Sequence, residues 1–165
     1  MTAHNIDYRF RCNIVALLSI LEDTIIERKI NIDVRLIRLI KVLLEEGKME
    51  GLVEKFIRST YGYWDDIREK STDFIKENSI VDMLFDKITD DKLEIISVFC
   101  GRISRDELRR QVEEFRSLFN SLLDSDDEVW RILHGCVRLS IKYIDICGLD
   151  YDIEKHRELW FNHHK

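Results

Sequence analysis

Apolar residues recur along the chain at spacings of three and four positions, which is the period of an amphipathic α-helix. Glycines and capping residues divide this pattern into successive segments. The pattern predicts an all-α fold: one domain over residues 1–165, an irregular bundle of about eight or nine helices around a buried central helix at about 128–147. The predicted helices lie near 7–28, 33–47, 51–62, 64–78, 79–88, 89–101, 104–124, 128–147 and 153–161.

Two segments give the strongest signals. Ser104 and Glu107 form a Ser-x-x-Glu capping box in front of a long amphipathic stripe. The segment 128–147 carries apolar residues on nearly every side, which is typical of a helix enclosed by others. We therefore expect the 104–124 helix to pack alongside a buried 128–147 helix.

Composition and charge narrow the function classes. The chain has 165 residues, 45% of them hydrophobic, and no proline, which favours one domain of uninterrupted helices. Its net charge of −6 repels phosphate backbones and makes nucleic-acid binding an unfavoured function. Arg138 and Lys142 interrupt the most apolar segment, so no membrane span is predicted.

The N-terminal residues and the cysteines predict an intracellular protein. The first residues lack the basic and apolar regions of a secretory signal. Four cysteines occur without the close spacing of a disulfide framework or a Cys-x-x-Cys site. We interpret Cys12, Cys100, Cys136 and Cys147 as reduced, buried side chains.

No motif for catalysis, for a metal or for a cofactor occurs, and we predict none of the three and no enzyme. Three pairs of adjacent aspartates start at Asp65, Asp90 and Asp126, where helices are predicted to begin, so capping explains them better than acid–base chemistry. His134 lies on the predicted central helix, and we interpret it as a hydrogen-bonded core residue rather than a pH-sensitive or acid–base group.

A series of arginines marks one side of the 104–124 helix. Arg102, Arg105, Arg109 and Arg116 recur at helical intervals and form a basic stripe. Such a stripe would bind an acidic partner, or, together with Arg110, nucleic acid. Intrahelical ion pairs with Glu113 and Glu114 explain the same pattern. Both interpretations remain open on the sequence.

Tryptophan is enriched among the residues that anchor protein interfaces, although core packing is the expected role for at least two of the three tryptophans. The start of the central helix gives the predicted partner-binding surface. It consists of Val129, Trp130, Arg131, Phe115 and Phe119.

The chain resembles a group of small helical proteins of large nucleocytoplasmic DNA viruses. The resemblance covers just over half the chain, and it implies a viral origin and no particular activity. It is carried by Phe56-Ile-Arg-Ser, Trp64-Asp-Asp-Ile67, Asp73-Phe74-Ile75, Ile103-Ser104, Trp130-Arg-Ile132 and the segment from Ser140 to Ile144.

A second resemblance is to the apoptosis regulators of the B-cell lymphoma family. Leu43-x-x-x-Gly47 is similar to their death-motif helix, with Lys48 in place of its aspartate. Trp130-Arg131-Ile132 is similar to their Asn-Trp-Gly-Arg-Ile element, without its glycine. The resemblance implies a surface groove that binds a partner helix, with Arg131 as the groove arginine.

Together these observations predict a non-enzymatic protein that binds another protein, such as one presenting an amphipathic helix, or a second copy of itself, through an apolar surface lined by helices. An inhibitor that sequesters pro-death helices is a narrower form of this prediction. A virion component that uses the basic stripe is another alternative. In an infected cell, the host cytoplasm would be its location.

Overall fold

The structure, a computed structural model, describes residues 1–73, 75, 80–84, 96, 98 and 100–161. The predicted all-α fold is confirmed, and the described residues contain seven α-helices, against the eight or nine predicted. The predicted helices near 79–88 and 89–101 fall mostly outside the described residues, as do Asp90 and Asp91. The helices are α1 (Ala3–Glu27), α2 (Val34–Glu45), α3 (Leu52–Thr60), α4 (Trp64–Arg68), α5 (Arg105–Ser125), α6 (Asp127–Cys147) and α7 (Glu154–Phe161).

Local capping chemistry sets several helix starts where the sequence predicts them. Asp33 caps α2 by accepting a hydrogen bond from the Arg35 amide at 3.0 Å. Ser104 caps α5 by accepting one from the Glu107 amide at 3.1 Å. The expected start of α1 at residue 7 is wrong, because Thr2 caps that helix and α1 begins at Ala3.

The expectation of an enclosed central helix is confirmed by α6. Helices α1, α3, α4, α5 and α7 all pack against it. Helix α1 packs closely on α6 at Gly135, where an added Cβ would lie 3.0 Å from the side-chain nitrogen of Asn13. Buried residues on several sides of α6 are Val129, Trp130, Ile132, Leu133, Cys136, Val137, Leu139, Ser140, Ile141 and Ile144.

A tight corner joins α5 to α6. Asp126 ends α5 and caps α6, because its carboxylate accepts a hydrogen bond from the Glu128 amide at 2.9 Å. The indole N–H of Trp130 donates to the carbonyl oxygen of Leu123 at 2.8 Å. That carbonyl is one of the last four of α5, which lack partners within their own helix. Trp130 therefore supplies a hydrogen bond to the C-terminal end of the preceding helix.

The loop after α6 returns the chain so that α7 packs antiparallel to it. Gly148 adopts φ +63° and ends α6, and Ile153 and Trp160 are the buried anchors of the returning segment. This return places two partly exposed helix faces side by side. The groove described below lies between them.

Candidate interaction surface

Four of the five predicted partner-binding residues are core residues. Val129, Phe115 and Phe119 are fully buried, and Trp130 is 3% exposed. Phe115 and Phe119 are on the buried side of α5, and Val129 and Trp130 are buried in the first turn of α6. The expectation that they line a surface is corrected accordingly, since none of the four reaches solvent enough to contact a partner in this conformation.

Arg131 is the one member of the predicted set that is exposed. Its guanidinium pairs with the carboxylate of Glu128, one turn earlier on α6. The structure therefore separates Arg131 from the four apolar residues with which the sequence grouped it.

Two arginines of the predicted basic stripe, Arg109 and Arg116, pair with carboxylates, and so does the adjacent Arg110. Arg109 lies 3.9 Å from Asp106, and Arg110 lies 2.6 Å from Glu107. Arg116 pairs with Glu113 on its own helix and with Asp82 of the described segment 80–84, and so connects two parts of the bundle. The interpretation as ordinary ion pairs holds for this part of the stripe.

Arg102 and Arg105, at the start of α5, are exposed and have no carboxylate partner within the described ranges. They lie apart from the paired arginines along the helix. The stripe is therefore reduced to two unpaired cations at one end of α5.

The prediction of buried cysteines is half correct. Cys100 and Cys136 are buried, and burial raises the pKa of the Cys136 thiol to about 12. Cys12 and Cys147 are exposed, which corrects the prediction for these two. Cys12 lies on the outer side of α1, and Cys147 is the last residue of α6, where the helix leaves the core.

A groove of about 360 Å³ lies between α6 and α7. Its exposed surface is mostly apolar, in contrast to the other two clefts described below. The ion pair between Asp145 and Arg157, at 2.6 Å, crosses from one helix to the other and closes one end. The groove is lined by Ile141, Lys142, Asp145, Arg157 and Phe161.

Two cations lie against aromatic rings along this groove. The Lys142 ammonium is 5.6 Å from the centre of the Phe161 ring, and the Arg138 guanidinium is 5.9 Å from the centre of the Trp160 ring. Both distances are within the range of a cation–π interaction. Arg138 and Lys142 are one turn apart on α6, so they form a basic edge next to the apolar surface.

The groove is not predicted by the sequence pattern, in which Arg138 and Lys142 only argue against a membrane span. The only sequence signal for the groove is a pair of cations one turn apart on an otherwise apolar helix. It identifies a solvent-facing side of that helix, but not the element that lies beside it.

Helix α7 is held by a cluster of aromatic rings on its other side. His156 packs edge-on against Tyr61 and Trp64, with ring centres 5.5 and 5.1 Å apart. Trp160 packs edge-on against His134, whose Nε2 lies 2.7 Å from the carbonyl oxygen of Ile67. The interpretation of His134 as a hydrogen-bonded core residue agrees with this contact.

Several buried polar atoms between α4 and α7 have no hydrogen-bond partner within the described part of the chain. They include His156 Nδ1 and Trp160 Nε1 on α7, and Asp65 Oδ1 and Arg68 Nη1 on α4. Such atoms are costly in a protein interior, because folding removes them from water without replacing its hydrogen bonds. These atoms therefore add no hydrogen bonds to the docking of α7, which ring packing, the buried Ile153 and the Asp145–Arg157 ion pair support.

Acidification is expected to weaken the docking of α7. Burial lowers the pKa of His156; the neighbouring Asp65 carboxylate opposes this effect, while Lys155 and Arg68 add to it. Since the pKa in the folded state lies below the unfolded value of about 6.5, the stabilisation is present above that value and is lost as the pH falls below it. Amide hydrogen exchange of residues 154–161 at pH 7.5 and pH 5.5 measures this loss.

A His156→Phe variant is the control for this prediction, because it keeps a ring at this position and removes the titrating group. The wild-type protein should lose more protection of α7 than the variant between the two pH values. Equal losses in the two proteins would show that another group is responsible.

Two further clefts are less apolar than the groove between α6 and α7: one has a mixed lining and the other is mainly polar. One, of about 450 Å³, lies beside Glu54, Arg58, Asp150 and Tyr151, and the other, of about 360 Å³, lies at the acidic corner formed by residues 124–127. Within the described residues, no group of three or more His, Cys, Asp or Glu side chains is arranged to hold a metal ion. In the same part of the chain, no helix is long and apolar enough to cross a membrane.

Comparison of the chain with protein-family models, with curated proteins and with solved structures gave no match. The geometry and the charges of the α6–α7 groove are therefore the features of the molecule that bear on its function.

Proposed function

We propose that this protein is a non-enzymatic interaction protein that binds a helical segment of another protein in the α6–α7 groove. The observation that carries the proposal is the groove itself, whose exposed surface is mostly apolar and whose rim is charged. Apolar surface with a polar rim is the common composition of binding surfaces on helical proteins. The proposed binding surface therefore lies at the C-terminal half of α6 and not around Trp130.

The size of the groove suits side chains of a partner rather than a large cofactor. A volume of about 360 Å³ is near the lower end of the range of about 300–1,000 Å³ that is usual for ligand sites. An amphipathic helix places its apolar side chains in such a groove at helical spacing. The ring of Phe161 and the alkyl part of the Lys142 side chain would provide the apolar contacts, since Ile141 beneath them is buried.

A titration followed by amide NMR tests the proposal. The ¹⁵N-labelled protein is mixed with amphipathic helical peptides of about 20 residues, long enough to form a helix when bound. We expect saturable shifts of the amides of Lys142, Asp145, Arg157 and Phe161 with at least one peptide. Exchange of the exposed Val42 on α2 for lysine is the matched control and should leave binding unchanged, because Val42 does not line the groove. Shifts confined to other surfaces would contradict the proposal.

A second copy of the chain is the alternative occupant, because the sequence predicts self-association through an apolar surface lined by helices as an alternative to binding another protein. Sedimentation at increasing protein concentration, without peptide, distinguishes the two. A dimer that disappears on Phe161→Ala exchange would assign the groove to self-association.

A narrower form of the proposed interaction function is an inhibitor of apoptosis. Such a protein would be of viral origin and would act in the host cytoplasm. The exposed position of Arg131 is the observation that keeps the apoptosis inhibitor as a candidate. Death-motif peptides therefore belong in the panel, with Arg131→Ala as the diagnostic variant. A Kd below about 1 μM that this exchange weakens would favour that candidate and a surface around Arg131. Flat curves would exclude it and leave assembly with other proteins as the function to pursue.

A further inference from the structure

The charge on the groove is opposite to that of the chain. The protein carries a net charge of −6, and many of its arginines pair with carboxylates. Arg138 and Lys142 have no carboxylate within 4.0 Å among the described residues. Their contacts are the rings of Trp160 and Phe161, which leave the outer sides of both cations available.

The two cations and the groove form one continuous surface. Arg138 and Lys142 are four residues apart, which separates them by about 6 Å along the helix axis. Lys142 also lines the apolar groove, whose far end is closed by the pair of Asp145 with Arg157. Positive charge therefore lies at one end of the groove and an already neutralised pair at the other.

From this arrangement we infer that the partner segment is acidic: an amphipathic helix with two carboxylates one turn apart and an apolar side chain one turn beyond them. The inference rests on the proposed function and specifies the chemistry of its partner. Carboxylates four residues apart on a helix have the same axial separation as Arg138 and Lys142. The apolar side chain then lies one turn beyond Lys142, in the groove beside Phe161.

A nucleic acid is the less suitable anionic partner. The net negative charge of the protein repels a polyanion, and phosphate contacts make no use of an apolar groove. An amphipathic helix with two carboxylates has few charges and an apolar side. It therefore matches both the basic edge and the apolar groove. Single-stranded DNA is included in the test as the competing outcome.

The test uses three labelled helical peptides that differ only at the two charged positions, measured by fluorescence anisotropy against the whole protein. The first has Glu at positions i and i+4 and Leu at i+7, and the others have Gln or Lys in place of Glu. We expect the Glu peptide to bind about tenfold more tightly than the Gln peptide, since each exposed ion pair contributes modestly. Rising salt should reduce this difference.

Charge reversal in the protein provides the reciprocal arm. Arg138→Glu with Lys142→Glu should reverse the preference, so that the Lys peptide binds best. Lys142→Glu alone, at an exposed position, gives a partial reversal that does not depend on the packing of Arg138. Arg102→Glu with Arg105→Glu changes the net charge equally at two exposed positions without a carboxylate partner among the described residues, one just before α5 and one at its first residue, and is the matched control.

The outcomes separate the inference from the proposed function. Equal binding of the Glu and Gln peptides would overturn the inference and leave the groove as a binding site for apolar segments. No binding of any peptide would overturn both. Salt-dependent binding of DNA that is lost on reversal of Arg138 and Lys142, with no preference among the peptides, would assign the basic edge to nucleic acid instead.

Discussion

Replacement of Trp130 by alanine is expected to lower the free energy of unfolding by about 3–5 kcal/mol, the usual cost of truncating a buried tryptophan. The side chain is 3% exposed and packs at the corner where α5 meets α6. The acidic cleft beside Trp130 gives water access to part of the resulting space, which places the expected value near the lower end of the range. Urea denaturation of the two proteins measures it.

Trp130→Phe separates the hydrogen bond from the packing. A phenyl ring fills most of the site but leaves the Leu123 carbonyl without the indole donor, at an expected cost of about 1–3 kcal/mol. A phenylalanine variant as stable as the wild type would show that the corner does not need this bond.

The same variant separates the two assignments of the binding surface. If Trp130 contacts a partner directly, Trp130→Phe should weaken peptide binding in the folded protein. If the α6–α7 groove is the site, binding should remain at wild-type strength, because Trp130 lies at the opposite end of α6 from Lys142.

Features that depend on residues close together in the sequence could be predicted from it. The caps at Asp33, Ser104 and Asp126 act over two or three positions, so the residue pattern contains all that determines them. The enclosure of α6 also follows from the pattern, since a helix with apolar residues on several sides is stable only when other helices cover them.

Features that depend on how helices meet could not be predicted in this way. The frequency of tryptophan at interfaces favoured Trp130 as a surface residue, yet a tryptophan that completes the end of a neighbouring helix has the same local sequence context. The groove forms only because the loop after Gly148 returns α7 along α6. The residue spacing within each helix does not determine how the loop orients the two helices.

Trp160→Ala is expected to release α7 from the bundle. Ile153 and Trp160 are the buried anchors of this segment, and truncation of a buried tryptophan costs about 3–5 kcal/mol. That loss corresponds to at least about a 100-fold faster amide exchange in residues 154–161. Helices α1 and α6 should keep most of their protection, because their main contacts are with each other. Peptide binding in the groove should be lost, since Arg157 and Phe161 move with α7.

Trp160→Phe is the matched control and contrasts with Trp130→Phe. The indole N–H of Trp160 is buried and has no acceptor among the described residues, so phenylalanine removes an unpaired donor rather than a hydrogen bond. We expect it to cost about 1 kcal/mol less stability than Trp130→Phe and to preserve peptide binding. Unchanged exchange of α7 in Trp160→Ala would contradict the role of Trp160 as an anchor. Loss of peptide binding in both Trp160 variants, with α7 still protected, would instead make the indole itself part of the groove.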